Sequence, residues 1–379
     1  IKFKFLPISI NNNKENLIYY SPLIAGNAYD RTMLGLALYN NSINDKKVEW
    51  LINPLYGFGS KKMVGSGKIQ TNINTYGLFS RINIGYKIRS FHNEHDDLYR
   101  EERWIKQELF TELRLKSNDL RRSPFQNIKL RTIKIDDFEP DFTLIWPPQT
   151  ARKTNYYGEI VYQLKNRQIL KSKELKLNYI YGFNKNQNSV NCLQLTSKME
   201  KSYNKSSDKI SWRFFTGYHF NEDITSKYSF YLSGKNGKMD YLYDNIYFAR
   251  NSSDQNYLLS RQNDNSYGGF KAQDTNLRTN NWMVSNNLKI DIPKLPLGIF
   301  ADFGMFQSTS QENKINWAYN TGIFTRLILN DEIIGIYLPL FYSDNIGASL
   351  NELKVLQRIS FIFNLQNLNP FTIKKTIKP

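Results

Sequence analysis

The chain has 379 residues, with 51 Lys and Arg against 34 Asp and Glu, and a formal net charge of +17. Its mean hydropathy is −0.55, and nowhere do about 18 apolar residues run together, which excludes a membrane-spanning helix. The single cysteine, Cys192, excludes an intrachain disulfide and a thiolate metal cage.

What the sequence carries instead is period-two alternation. Strand side chains point to opposite faces in turn, so residues 81–89 put Ile82, Ile84, Tyr86 and Ile88 on one face and Arg81, Asn83, Lys87 and Arg89 on the other. In chain order the pattern predicts strands at 17–24, 31–40, 48–58, 62–73, 80–90, 103–117, 125–135, 152–165, 168–183, 189–203 and 209–220. It resumes at 281–292, 297–306, 315–329, 332–342 and 352–365, for sixteen strands in all. Every second connection is short (41–47, 74–79, 118–124, 166–167, 204–208, 293–296, 330–331), whereas 91–102, 136–151 and 221–280 are long. An outer-membrane barrel has short turns on one side and longer loops on the other, and an even strand number. Residues 226–232 are also strand-like but would break that parity, so they belong inside the long loop.

The expected fold is therefore all-β, a transmembrane antiparallel barrel of about 16 strands. Residues 1–16 are a lead-in, 17–365 the barrel and 366–379 a tail. The loop 221–280 is aromatic and ordered in character, folded either toward the lumen or outside as its own small cluster. The 15% aromatic content suits girdles at two bilayer interfaces. Cations are spread along the polar faces of most strands, so lipopolysaccharide phosphates, a hydrated lumen or anionic solutes suit the charge, and nucleic acid is not an expected partner. The runner-up class is a soluble, basic, β-rich binding protein.

Candidate chemistry is thin. His92 and His95 flank an Asn-Glu pair at the wrong spacing for two helical zinc ligands, and no metal is expected there. Asp136, Asp137, Glu139 and Asp141 form an acidic group in the 136–151 connection, a candidate cation-binding loop read against a solvated one. Gly65 to Lys68 lacks phosphate-loop spacing, because Ile69 follows Lys68 and Lys62 stands where the first glycine belongs. No catalytic set and no cofactor is expected in this chain. Within the long loop, Tyr241, Asp244, Asn245 and Arg250 are the candidate lumen-facing residues.

The stretches Leu17–Asp30, Met33–Asn40, Asp240–Arg250, Leu295–Asp302, Arg358–Asn364 and Asn369–Phe371 resemble the C-terminal barrel of certain Bacteroidetes gluzincin-type aminopeptidases. Those barrels are distantly similar to the sixteen-stranded surface-antigen assembly and translocation barrels. The resemblance implies an outer-membrane location and a barrel that anchors or displays a zinc peptidase domain lying outside these residues. It implies no peptidase role for any residue here, since HExxH and its downstream glutamate are missing from the sequence. In the surface-antigen barrels an arginine on the sixth external loop enters the lumen; Arg250 is the nearest position, without the Arg-Gly-Phe context. Outer-membrane lipid, lipopolysaccharide and other outer-membrane subunits are the implied partners. The start at Ile1, with no Met and no signal peptide, reads as a processed segment or the C-terminal part of something longer. A transport or assembly barrel that passes polypeptide is the alternative role.

Overall fold

The computed structural model describes residues 2–363 except 6–16, 41–45, 97–99, 118–123, 142–148, 169, 184–188, 204–207, 222–223, 235–236, 238, 251–258, 274–275, 309–313, 327–333 and 352. It is all-β. The strands are β1 (Lys2–Phe5), β2 (Leu17–Asn27), β3 (Arg31–Tyr39), β4 (Val48–Gly57), β5 (Lys62–Asn74), β6 (Phe79–Asp96) and β7 (Arg100–Leu115). They continue with β8 (Phe125–Asp141), β9 (Gln149–Arg167), β10 (Lys171–Gly182), β11 (Asn191–Ser202) and β12 (Lys209–His219). Three short strands lie in the long connection: β13 (Phe230–Tyr231), β14 (Gln262–Asn263) and β15 (Arg278–Thr279). The series ends with β16 (Trp282–Asp291), β17 (Leu297–Gln307), β18 (Ile315–Arg326), β19 (Ile334–Tyr342), the helix α1 (Asp344–Leu350) and β20 (Ser360–Phe363). One sheet takes 18 of these strands; β1 and β14 join it by parallel pairing to β2 and β20, and sixteen form the main series, as expected.

Two compact units divide the chain. The first comprises Ile1–Leu120 and Asn127–Ile160, the second Arg121–Gln126 and Val161–Asn367. In the first, β2 through β8 pair antiparallel in sequence order. The second runs β10–β11–β12, passes over the long connection to β16, and continues to β20.

In both units the alternation is inverted relative to a water-soluble sheet. On β6, Asn83 is 7% exposed and its neighbour Ile84 is 41% exposed. On β17, Leu297, Ile299, Ala301 and Phe303 are exposed, while Gly298, Phe300, Asp302 and Gly304 are buried in strict turn. Buried positions elsewhere include Gln70, Glu108, Asn178, Gln194 and Asn287; exposed ones include Ile69, Leu109, Leu177, Leu193 and Leu288.

Four sequence boundaries are corrected. Residues 91–102 are not a loop: β6 and β7 pair as far as Asp96 opposite Arg100, through a bulge between His92 and Glu94. Nor is 136–141 loop, because β8 runs through it to Asp141 and β9 starts at Gln149. These strands of 16 to 19 residues exceed the roughly 10 needed to cross a bilayer, and their polar ends have no apolar face for the alternation to reveal. Of the last predicted strand, 352–365, the described residues are strand only at Ser360–Phe363, preceded by a 3-10 turn at Val355–Arg358, and 364–365 lie outside the described residues. The lead-in 1–16 contributes β1, which the alternation did not predict. Residues 226–232 do stay off the main series: β13 pairs only with β15 inside the connection. The proposed tail 366–379 lies outside the described residues.

Candidate functional site

The second unit builds its site by leaving space. Opposite one another on β16, β17 and β18 stand Ser285, Gly304 and Ala318, all on the buried face. A Cβ on Gly304 would lie 2.5 Å from Leu232 and 3.1 Å from Phe270, so this row of small residues is a seat for two apolar side chains of the 221–280 loop. Phe230 packs edge-on to Phe215 and stacks on His219, both from β12. Phe248 rests against Phe361 and Phe363 of β20. The contacts of Phe230, Leu232 and Phe270 put this part of the loop on the buried face of β12 and β17, the inward of its two readings.

One step along the strands is a polar row: Arg213, Asn287, Asp302 and Asn320 lie side by side across β12, β16, β17 and β18. Arg213 donates to Asn287 Oδ1 (2.8 Å), and Asn287 donates to Asp302 (2.9 Å) and to the carbonyl of Gly268 (2.9 Å). The Lys271 amide donates to Asp302 (3.1 Å), and its carbonyl accepts from Ser360 Oγ (2.7 Å). Gly269 has a φ of +67°, open to glycine at little cost, and a Cβ there would stand 2.9 Å from both Arg213 and Asn287. The Lys271 ammonium is buried, donating to Asn265 Oδ1 (2.8 Å) and the Gly269 carbonyl above the Tyr337 ring. Burial draws its pKa down to about 8, with Asp302 opposing the shift.

Three of the four residues singled out from the sequence, Asp244, Asn245 and Arg250, are brought together around Asp240 within the loop, and Tyr241 packs elsewhere. Arg250 donates to Asp240 Oδ2 (2.7 Å) and to the carbonyls of Asn245 (2.9 Å), Asp240 (3.0 Å) and Gly237 (3.3 Å). Its guanidinium lies between the rings of Tyr243 and Tyr247, at 4.7 and 4.9 Å. The Asp240 carboxylate in turn accepts from the amides of Asp244 and Asn245, both at 2.8 Å. Tyr241 packs edge-on to Tyr228. Burial works against the Arg250 charge, yet Asp240 and Tyr243 hold its pKa above the ordinary arginine value. Asp244, Asn245 and Arg250 thus belong to a knot within the loop, and Lys271 and Asp302, which meet at its seat, are not among the residues the sequence singles out. The available signal was the Gly268–Gly269 pair before Phe270, together with a lone acid on the inward face of β17.

In the first unit the acidic group is a structural tie. Asp136 accepts from Arg152 (2.9 Å) and Thr154 (2.7 Å) and Asp137 from Asn155 (3.5 Å), so these two acids already bind side chains of β9. This corrects the cation-loop reading for Asp136 and Asp137; the side chains of Glu139 and Asp141 lie outside the described residues. His92 Nδ1 meets Asp30 Oδ1 at 2.6 Å, and the side chain of His95 lies outside the described residues. Among the described residues no group of three or more His, Cys, Asp or Glu is placed to hold a metal ion.

Asp30, fully buried in the turn between β2 and β3, also accepts from Ser60 (2.6 Å) and Asn27 (3.0 Å). Burial alone would raise its pKa, but the bonds from His92, Ser60 and Asn27 outweigh it and leave the carboxyl below its ordinary 3.8. A lowered folded pKa means that the carboxylate stabilises the fold above that ordinary value and loses the contribution as pH falls through it. Acid unfolding followed by tryptophan fluorescence should therefore show a limb below about pH 4 that Asp30→Asn flattens. An unchanged limb would show that Asp30 is not its source.

The first unit also holds a basic cluster on the buried face of β5 to β8. Glu108 lies 3.0 Å from Lys87, 3.2 Å from Lys129, 3.4 Å from Arg131 and 3.7 Å from Lys106. Arg131 also pairs with Glu159. Phe110 fills the space above Gly85, where a Cβ would stand 2.5 Å from its ring. The ammonium groups of Lys87, Lys68 and Lys129 surround that ring at 4.6, 5.5 and 5.8 Å.

No family model and no curated protein matches the chain. Among solved structures it is similar to CdiB from Acinetobacter baumannii, with a TM-score of 0.43 and 9% identity over 87% of this chain and 57% of that one. It is also similar to BamA from Haemophilus ducreyi lacking POTRA domains 1–3, with a TM-score of 0.42 and 8% identity over 87% of this chain and 69% of that one. The chain thus spans a little over half the length of the CdiB structure, 57%.

Proposed function

We propose that the chain is an outer-membrane β-barrel module whose strands cross the bilayer. The observation that carries this reading is the inverted alternation on strands such as β5, β6 and β17: Ile69, Ile84, Ile299 and Phe303 are exposed on one face, and Gln70, Asn83 and Asp302 are buried on the other. In water such a surface is a contiguous apolar patch far larger than soluble monomers expose. In a membrane it is the required outer wall, with the polar face turned to an aqueous interior. A soluble β-rich binding protein has no use for it.

Within that reading the module serves as anchor or display platform for a metallopeptidase domain outside these residues. The seated loop favours this role over passage of polypeptide, because it covers the inner face of β12, β16 and β17 with fixed side-chain contacts. The peptidase half rests on the sequence resemblance, and HExxH encoded in the same reading frame would support it. Tandem small α/β repeats there would favour an assembly or translocation barrel instead.

Facing is tested by paired substitutions. Ile84→Arg, on the outer wall, should cost about 2–4 kcal/mol and abolish heat-modifiable gel migration and membrane fractionation. Asn83→Arg, one residue away and opposite Glu112 on the inner face, should insert normally. Equal behaviour of the two variants, or a fully soluble wild type, would refute the membrane reading.

A further inference from the structure

We propose that the inner face of β5 to β8 is an anion-selective path, so that the inserted module passes small inorganic anions in preference to cations. This rests on the barrel reading above. Five cations, Lys68, Lys87, Lys106, Lys129 and Arg131, gather about Phe110 and Glu108 on four adjacent strands. The register sets Lys68 opposite Lys87, Lys87 opposite Glu108 and Phe110 opposite Arg131, so the charges form a continuous strip and not a scatter. Among the described residues the acids on this face, Glu49, Glu108, Glu112 and Glu159, are outnumbered, and one row beyond Lys129 and Glu112, Arg81 faces Arg114 directly.

A purely structural ion-pair hub would approach neutrality, since like charges held this close repel and each loses hydration. An excess of positive charge on a wall is sustained when water and mobile anions stand against it. The ammonium-bearing side chains of Lys87 and Lys129 keep 25% and 21% of their exposure, which leaves them open to such ions, while Glu108 is at 4%. The aromatic ring in their midst holds the ammonium groups in place without neutralising them. Charged walls of one sign beside low-dielectric material concentrate the counter-ion, and the counter-ion here is an anion.

The test is single-channel recording of the purified, heat-modifiable chain in planar bilayers under a potassium chloride gradient. The reversal potential should have the sign of chloride preference. Lys87→Glu with Lys129→Glu should lower the chloride-to-potassium permeability ratio on the order of tenfold. Lys134→Glu, a position of outward parity on β8, should leave it unchanged. If the double charge reversal does not insert, Lys87→Gln with Lys129→Gln should reduce the ratio to a smaller extent. A potassium preference in the wild type, an inserted wild type that does not conduct, or an unchanged ratio in both double variants overturns the proposal. Failure of the wild type to insert at all would sink the membrane reading first, and this one with it.

Discussion

Asp240→Ala should release the 221–280 loop from its folded form while leaving the long strands paired. The carboxylate removed is the partner of a buried guanidinium and the acceptor for two loop amides, those of Asp244 and Asn245. Taking away one half of a buried pair leaves the other charge uncompensated, at a cost of about 3–5 kcal/mol. The rings of Tyr243 and Tyr247 offset only part of that, about 1–2 kcal/mol for a desolvated cation. Among its described residues the loop has only two-residue strands and short 3-10 turns to fall back on. Brief protease treatment of the folded protein should therefore cut the variant within 221–280 and spare the wild type. Far-UV circular dichroism should barely change. Replacing both partners, Asp240→Ala with Arg250→Met, should restore part of the resistance, since no buried charge is then left alone. Equal protease resistance of Asp240→Ala and wild type would mean that the loop is held by its seat alone.

That contrast between the knot and the seat also explains what the sequence could reveal. Period-two alternation is visible wherever one face of a strand must be apolar, which is why β17, with Leu297, Ile299 and Phe303 against Gly298, Asp302 and Gly304, is legible from residues alone. It fails where neither face is apolar. The ends of β6 to β9 carry His92, Asn93, Arg103 and Asp136 in paired strand, and polarity alone reads them as loop. The end of the chain fails in the opposite way: apolar residues near 352–359 suggest a strand, but Val355–Arg358 turns and only Ser360–Phe363 pairs with β19.

The candidate site shows the same division. Arg250 was visible as a cation in an aromatic stretch, and the structure gives it aromatic faces and an acid, all from its own segment. The meeting of Lys271 with Asp302 joins positions 31 residues apart and depends on small residues clearing a seat, which no local pattern encodes. The acidic group failed for a similar reason. Clustered carboxylates suggest a cation, but across-strand partners such as Arg152 and Thr154 occupy Asp136 once β9 is paired beside β8. Residue type reveals which face a side chain takes; partners across strands come only with register.

Glu108→Gln should be the most damaging conservative change in the first unit. The substitution keeps shape and volume but removes the negative charge that Lys87, Lys106, Lys129 and Arg131 share. An exposed pair would be worth under about 1 kcal/mol, whereas Glu108 is almost wholly buried. The expected loss is about 3 kcal/mol, near the lower end for broken buried pairs, because Lys87 and Lys129 retain contact with water. It should read as a lower urea midpoint in heat-modifiable migration, with partial recovery in high salt as the remaining cations are screened. Adding Lys87→Gln to Glu108→Gln should return part of the stability, since the two residues face each other across β6 and β7 and their effects are coupled. Strict additivity of the two substitutions would show that Glu108 packs there without acting as the cluster's counter-charge.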